Sequence, residues 1–348
     1  MKVNISQNNY LDIINLKYGV FQPLNKFVSK KEFVSIVEDF KLDKNKFFPI
    51  PIYMGISKAV FNKIKFQKKI EAYYKSKKIC NLKILSFYQI NKKKIGKKIF
   101  QTSDGRHPGL QNFFRSGDYF IDCKIENFKK SSISKIQFNK PEIFKKKFSK
   151  FKKVIGFHTR NVPHRAHEWI HFFGLSKCDA LLIQPLVGQF KSSEYKEDII
   201  IKSNLKLVNK IYKKKNIFFN VFNSYPRYGG PREALLHALV RKNFGCTHFL
   251  VGRDHAGVKN YYPKYASQKL CKKFSNKINI NIVTFKEPYL CKGCLQIMNK
   301  KCSSCKNKKK ETISGTKIRK LILNKKTIPQ KYMRKEMSVL LDKNSIIA

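Results

Sequence analysis

From residue 151 the chain alternates short apolar runs with longer amphipathic stretches. VIGF (154–157), ALLIQPL (180–186), NIFFNVF (216–222), THFLVG (247–252) and INIVTF (280–285) have the length of strands, and helical patterns cover 162–175, 194–213, 231–244 and 315–324. Strands that alternate with helices of this length join in parallel through crossover helices, so the fold class is α/β. Ligands of such sheets sit beyond the carboxyl ends of the strands. GFHTRN and VGRDHAG both fall there.

Three regions are expected. Residues 1–150 carry short apolar runs broken by turns, such as FFPIPIYMGI and KILSFYQI, and read as a β-rich domain with some helix around Lys31–Asp39. The Lys-rich KPEIFKKKFSKFKK reads as a linker into an α/β catalytic domain over 151–290, and 291–348 form a small C-terminal region. A length of 348 residues with 42% hydrophobic content supports a sizeable core. No apolar run approaches the ~20 residues of a membrane span. The N-terminus has no signal-peptide pattern, and nine unevenly spread cysteines fit a reducing compartment, so a cytoplasmic location with no membrane partner is expected.

The formal charge of +52 admits two readings. One is a basic nucleic-acid-binding protein on an enzyme scaffold. The other is compositional drift: 64 of the 74 basic residues are Lys, scattered along the chain with no clustered arginine-rich arm. Drift accounts better for the scatter, and no nucleic-acid partner is expected. Where Lys is so favoured, each of the ten remaining arginines is a candidate for a position that needs a planar fork.

GFHTRNVPHRAHE (156–168) holds three of the eight histidines and two of those arginines. Asn161 is expected to cap the following helix, with Pro163 in its first turn. His164 and His167, three apart, then share one face at its amino end, where free N–H groups and the dipole favour an anion. Arg160 adds a fork. A single core histidine beside a surface arginine is the plainer alternative, but it suits a lone residue better than a cluster. VGRDHAG repeats the logic, with Gly252 and Gly257 allowing close backbone approach. YPRYGGPREALLHA (225–238) brings Arg227 and Arg232 to a helix start as a third binding loop. ISGTKIRKLI (313–322) places Ser314 and Thr316 at another, with Lys317 and Arg319 behind them for capping, phosphate contact or both.

On these residues the chain resembles the ATP sulfurylase (sulfate adenylyltransferase) family. HTRNVPHRAH matches its xRN-xxHxxH segment, GRDHAG is unchanged, and ISGTKIR resembles its C-terminal segment. YGVFQPLNKFVSKKEF, FFPIPIYMGI and TSDGRHPG resemble its first domain, so the likeness runs along nearly the whole chain. It implies a β-rich, PUA-like N-terminal domain, a Rossmann-like nucleotidyltransferase domain, and a reversible reaction of ATP with sulfate to adenylyl sulfate and pyrophosphate. It implies that Thr159, Arg160 and Asn161 are catalytic, and that His164, His167 and Arg253 hold phosphates and stabilise the transition state. Nucleotide would be lined by His158 to Asn161, by Gly252, Arg253, Asp254 and His255, and by Val283. Sulfate would meet His158, Arg160 and Ala256. The family usually has Gln where this chain has His158; an imidazole can still donate to sulfate. Mg²⁺ would accompany ATP, and a homodimer is the family-based expectation. With no G-x-x-x-x-G-K-[ST] loop, no fused kinase is expected.

CKGCLQIMNKKCSSC brings Cys291, Cys294, Cys302 and Cys305 into two CxxC pairs. Four thiolates at this spacing suit a structural Zn²⁺ knuckle. A redox pair and reduced hairpin cysteines are the alternatives.

Overall fold

The computed structural model describes residues 1–42, 46–129, 139–188, 194–213, 216–305 and 309–347. Of the runs of three lysines singled out by composition, Lys214, Lys215 and Lys308 lie outside the described residues. The chain forms two units that share it in alternation. The first comprises Met1–Lys145, Pro226–Phe244 and Asp254–Ile280; the second comprises Lys146–Tyr225, Gly245–Arg253 and Asn281–Ala348.

In the first unit a five-stranded sheet runs, in spatial order, β1 (Lys2–Asn4), β3 (Lys69–Tyr74), β4 (Lys77–Tyr88), β5 (Tyr119–Glu126) and β2 (Gly55–Ile56). β1 and β3 are parallel and the other pairings antiparallel. Only the last two residues of the FFPIPIYMGI run become strand. The helix Lys30–Asp39 opens with a full capping box between Ser29 and Glu32. It turns Phe33 into an aromatic cluster with Tyr53, Tyr88, Phe113 and Phe120.

The 225–238 loop differs from the expectation of a binding loop. The guanidinium of Arg227 pairs with the buried carboxylate of Asp12. Arg232 donates to the carbonyls of Ile36 and Pro49 at 3.1 Å and of Val37 at 2.6 Å, and lies 4.0 Å from the Phe40 ring centroid. Burial lowers the Arg232 pKa to about 10, still charged at neutral pH. Glu233 accepts from the backbone N–H groups of Arg227 (2.8 Å) and Gly229 (3.0 Å), closing the loop on itself. Gly230 sits at φ 51, and a Cβ there would meet the Tyr262 ring at 2.5 Å. The helix that follows, Pro231–Asn243, is buried at every residue but Lys242. The terminal nitrogens of these forks are engaged by protein groups.

In the second unit the strands β6 (Val154–Thr159), β7 (Ala180–Gly188), β8 (Ile217–Phe219), β9 (Phe222–Ser224), β10 (His248–Val251) and β11 (Asn281–Thr284) are all parallel. Their spatial order is β11-β10-β6-β7-β8, with β9 also on β7. Every residue of β7 is buried, as a strand covered on both faces must be. NIFFNVF is not one strand. β8 and β9 keep the same offset along β7 but are separated opposite Pro185, which has no N–H to give the ladder. The expected helix over 194–213 is Glu197–Lys206 continued by a π-helical stretch, Leu207–Tyr212. The expected linker contains a helix, Pro141–Phe148, because Phe144 and Phe148, four apart, both find buried positions. A small antiparallel sheet completes the unit: β13 (Ile297–Met298), β12 (Tyr289–Cys291) and β14 (Lys310–Thr312).

Candidate active site

The strand order of the second unit decides where a ligand can sit. From β6 the chain moves outward to β7 and β8, then returns to the other side of β6 for β10 and β11. The connections after β6 and β10 therefore diverge and leave a crevice beyond the carboxyl ends of these two neighbours. β6 delivers Thr159, Arg160 and Asn161; β10 delivers Gly252 and Arg253.

The turn after β6 is set by Thr159, whose buried Oγ1 accepts from Asn161 N at 3.0 Å. Asn161 does not cap the helix and Pro163 lies outside it. The helix is Arg165–Leu175 and its N-cap is His164, which makes no side-chain capping bond. Asn161 is unavailable because its Oδ1 accepts from Arg319 Nη1 at 2.9 Å. The Arg165 N–H is taken by the Tyr332 carbonyl at 2.9 Å.

His164 and His167 stack with ring centroids 3.8 Å apart and planes 14° from parallel. Burial holds the His164 pKa well below its ordinary value, helped by His167 and His171. Burial lowers His167 to about 4, opposed by its bond to the Val162 backbone. Both rings are thus neutral at pH 7, and a stacked pair of cations is avoided. The Nδ1 atom of each is buried without a hydrogen-bond partner. One turn on, His171 Nδ1 lies 2.7 Å from the Tyr212 hydroxyl.

The two forks are half-buried and lightly held. Arg160 Nη1 is 3.6 Å from Glu194 and Arg253 Nη1 is 3.0 Å from Glu287. Arg253 Nε is buried and unpaired. Neither glutamate was singled out in the sequence. A signal existed: with 22 acidic residues against 74 basic ones, each remaining carboxylate merits the reasoning applied to the arginines. Val283 pairs with Leu250 of β10, beside the same strand ends.

Asp254, His255 and Ala256 belong to the first unit. There His255 Nε2 lies 3.0 Å from His237 Nδ1, and Ser267 Oγ donates to the His255 carbonyl at 2.7 Å. Ala256 holds φ 57, a left-handed conformation that costs a non-glycine residue energy. A Cβ at Gly257 would meet Asp254 Oδ1 at 1.8 Å and would displace that side chain, whereas at Gly252 a Cβ would find only ordinary contact with Phe285. His158 is the penultimate residue of β6, in register with buried Gln184.

In ISGTKIR, Ser314 caps its helix by accepting from Lys317 N at 3.2 Å. Lys317 is not directed to a phosphate: its ammonium donates to Glu311 (2.5 Å) and Tyr332 (2.8 Å). The four cysteines of the small sheet converge, their Sγ atoms all within 4.8 Å of one another. A tetrahedral ion with bonds of about 2.3 Å needs sulfurs ~3.8 Å apart, and Cys294 and Cys302 are 3.9 Å apart. Backbone N–H groups of Cys294 and Gly293 lower the Cys291 thiol to about 7.

Arg160 and Arg253 follow the neighbouring parallel strands β6 and β10, each half-buried and paired with one glutamate, and guanidinium groups of this kind can stabilise an oxyanion undergoing substitution. Among the described residues no helix is long and apolar enough to cross a membrane. A family model described as ATP-sulfurylase matches residues 137–344, and one described as a PUA-like domain matches 1–130. The chain is 33% identical over 345 residues to the sulfate adenylyltransferase of Ignicoccus hospitalis, covering 97% of this chain and 89% of that protein. It is 34% identical over 343 residues to that of Pyrococcus abyssi, with 97% and 88% covered. Among solved structures, the hexameric APS kinase from Thiobacillus denitrificans superposes with a TM-score of 0.74 at 15% identity. That match covers 97% of this chain but 62% of the other, less than two thirds of its length, and is a likeness of fold.

Proposed function

The chain belongs to the ATP-sulfurylase family, and from that premise we infer that it is a sulfate adenylyltransferase, joining ATP and sulfate to give adenylyl sulfate and pyrophosphate. A sulfate oxygen attacks the α-phosphorus in line, and the bond to the leaving pyrophosphate breaks. Sulfate at neutral pH carries no proton to remove, so the protein's task is positioning and charge stabilisation. The observation that carries this reading is the arrival of Arg160 and Arg253 at the carboxyl ends of β6 and β10, where the strand order reverses.

In this reading Thr159, Arg160 and Asn161 form the catalytic turn. Arg160, His158 and the Ala256 backbone N–H hold sulfate. His164 and His167 act as neutral donors to the phosphates, and Arg253 moves from Glu287 to the migrating charge. Gly252 to His255 line the nucleotide, with Val283 against the base through its backbone. Mg²⁺ bound with ATP supplies neutralisation of the pyrophosphate. Cys291, Cys294, Cys302 and Cys305 would hold a structural Zn²⁺, all four ligands being thiolates that would support the fold and not the reaction. We place the functional division at 1–150, 151–290 and 291–348, and the protein in the cytoplasm as a homodimer.

Pyrophosphate release from ATP and Mg²⁺ tests the reading, with and without sulfate. Release should depend on sulfate, adenylyl sulfate should appear in equal amount, and the preparation should carry about one zinc per chain. Release that is the same without sulfate would overturn it.

A further inference from the structure

We propose that Arg319 is a positioning residue that acts through Asn161, so that the C-terminal helix Gly315–Leu323 serves the reaction by orienting the turn after β6 and not by touching phosphate itself. The inference rests on the role given to Asn161 above. A guanidinium has donors only, so the Asn161 atom 2.9 Å from Arg319 Nη1 is the amide oxygen. The orientation of the amide is thereby decided: both N–H bonds of Nδ2 remain for a ligand, and a ligand rich in oxyanions accepts them. Were the amide reversed, the turn would present an oxygen to that ligand and repel it.

Two further features hold this arrangement. The second arm of the fork, Arg319 Nη2, donates to Thr316 Oγ1 at 3.2 Å, and the guanidinium lies 5.6 Å from the ring centroid of buried Tyr195. Gly315 stands where the helix meets the turn: a Cβ there would lie 2.6 Å from Asn161 Oδ1. Its backbone does not have positive φ, so glycine is needed here for proximity to Asn161 and not for conformation. The Ser314 hydroxyl caps the helix without using either residue.

The test is a set of double-mutant cycles on kcat, run with the full chain. Asn161→Ala should lower kcat by about 10², and Arg319→Ala by about tenfold. The double variant should be no slower than Asn161→Ala alone, because a residue that acts through another has nothing left to act on. Arg319→Lys, which keeps a donor, should recover part of the loss. Gly315→Ala should slow the wild type yet be silent in the Asn161→Ala background, where the clashing amide is gone. That reversal also separates the proposal from simple misfolding. Effects of Arg319→Ala and Asn161→Ala that multiply in the double variant would overturn it, as would an Arg319→Ala enzyme with normal kcat. Full turnover in Asn161→Ala would instead remove the reading of Asn161 on which the proposal rests.

Discussion

The arginines of the two units look alike in the sequence and live differently. Arg227 and Arg232, beside Gly and Pro in the first unit, are buried, with their forks filled by Asp12 and three backbone carbonyls. Arg160 and Arg253 in the second unit are a third exposed, and the ion-pair contact of each is with a single glutamate. For these four arginines the fork is used, and only its surroundings say whether the use is structural or chemical. Arg115, exposed and without a fork partner among the described residues, shows that a retained arginine need not carry either role. A filled fork stabilises the fold. A lightly held one can exchange its carboxylate for a substrate oxyanion at small cost, because exposed pairs contribute about 0–1 kcal/mol.

Asp12→Ala gives the strongest contrast. It would strand the buried charge of Arg227, which typically costs ~3–5 kcal/mol. The first unit should lose stability, seen as faster amide exchange in the helix Pro231–Asn243. Trp169, the single tryptophan, lies in the second unit and should report little change until that unit unfolds. If Trp169 fluorescence shifts in step with the exchange, the two units do not respond separately and the contrast fails.

Arg253→Lys should do the opposite. The charge stays but the fork is lost, so kcat should drop by about 10²–10³ while the melting temperature hardly moves. A matching loss of stability would place Arg253 with the filled forks.

Acid should weaken the second unit more gently. The buried histidines of the second unit have depressed pKa values, His167 at about 4 and His164 and His171 well below their ordinary value. Unfolding restores them to about 6.5, so the unfolded chain binds more protons below that pH. Their contribution is complete above pH 6.5 and is lost progressively as the pH falls below it, for His167 down to about 4, by roughly 1 kcal/mol per histidine near pH 6. Urea midpoints followed by Trp169 should fall over this range. Flat midpoints between pH 7 and 5 would mean that the three rings are not held neutral by burial.

The parallel sheet was legible because apolar runs of strand length recur between helical patterns, and all five runs form strands. What escaped is what depends on a distant partner. NIFFNVF reads as one strand because its interruption is caused by Pro185 on the neighbouring strand. Asn161 reads as a helix cap because nothing near it in sequence announces Arg319, 158 residues away. Lys317 reads as a phosphate ligand until Glu311 and Tyr332 are seen to occupy it. Arg227 and Arg232 have every local mark of a binding loop, and their satisfying groups lie near the N-terminus. Local pattern shows which residues are unusual; pairing shows what occupies them.

The alternation of the chain between its units bears on how the protein is made. The first unit needs the helix Pro231–Asn243, where Asn243 Nδ2 donates to the carbonyls of Val20 and Gln22, and the stretch Asp254–Ile280. The unit around its earliest strands is therefore complete only once about four fifths of the chain has been made. Closing such long loops is slow, and apolar surface stays open meanwhile. During that time the like charge of neighbouring chains, formally +52 each, opposes their association.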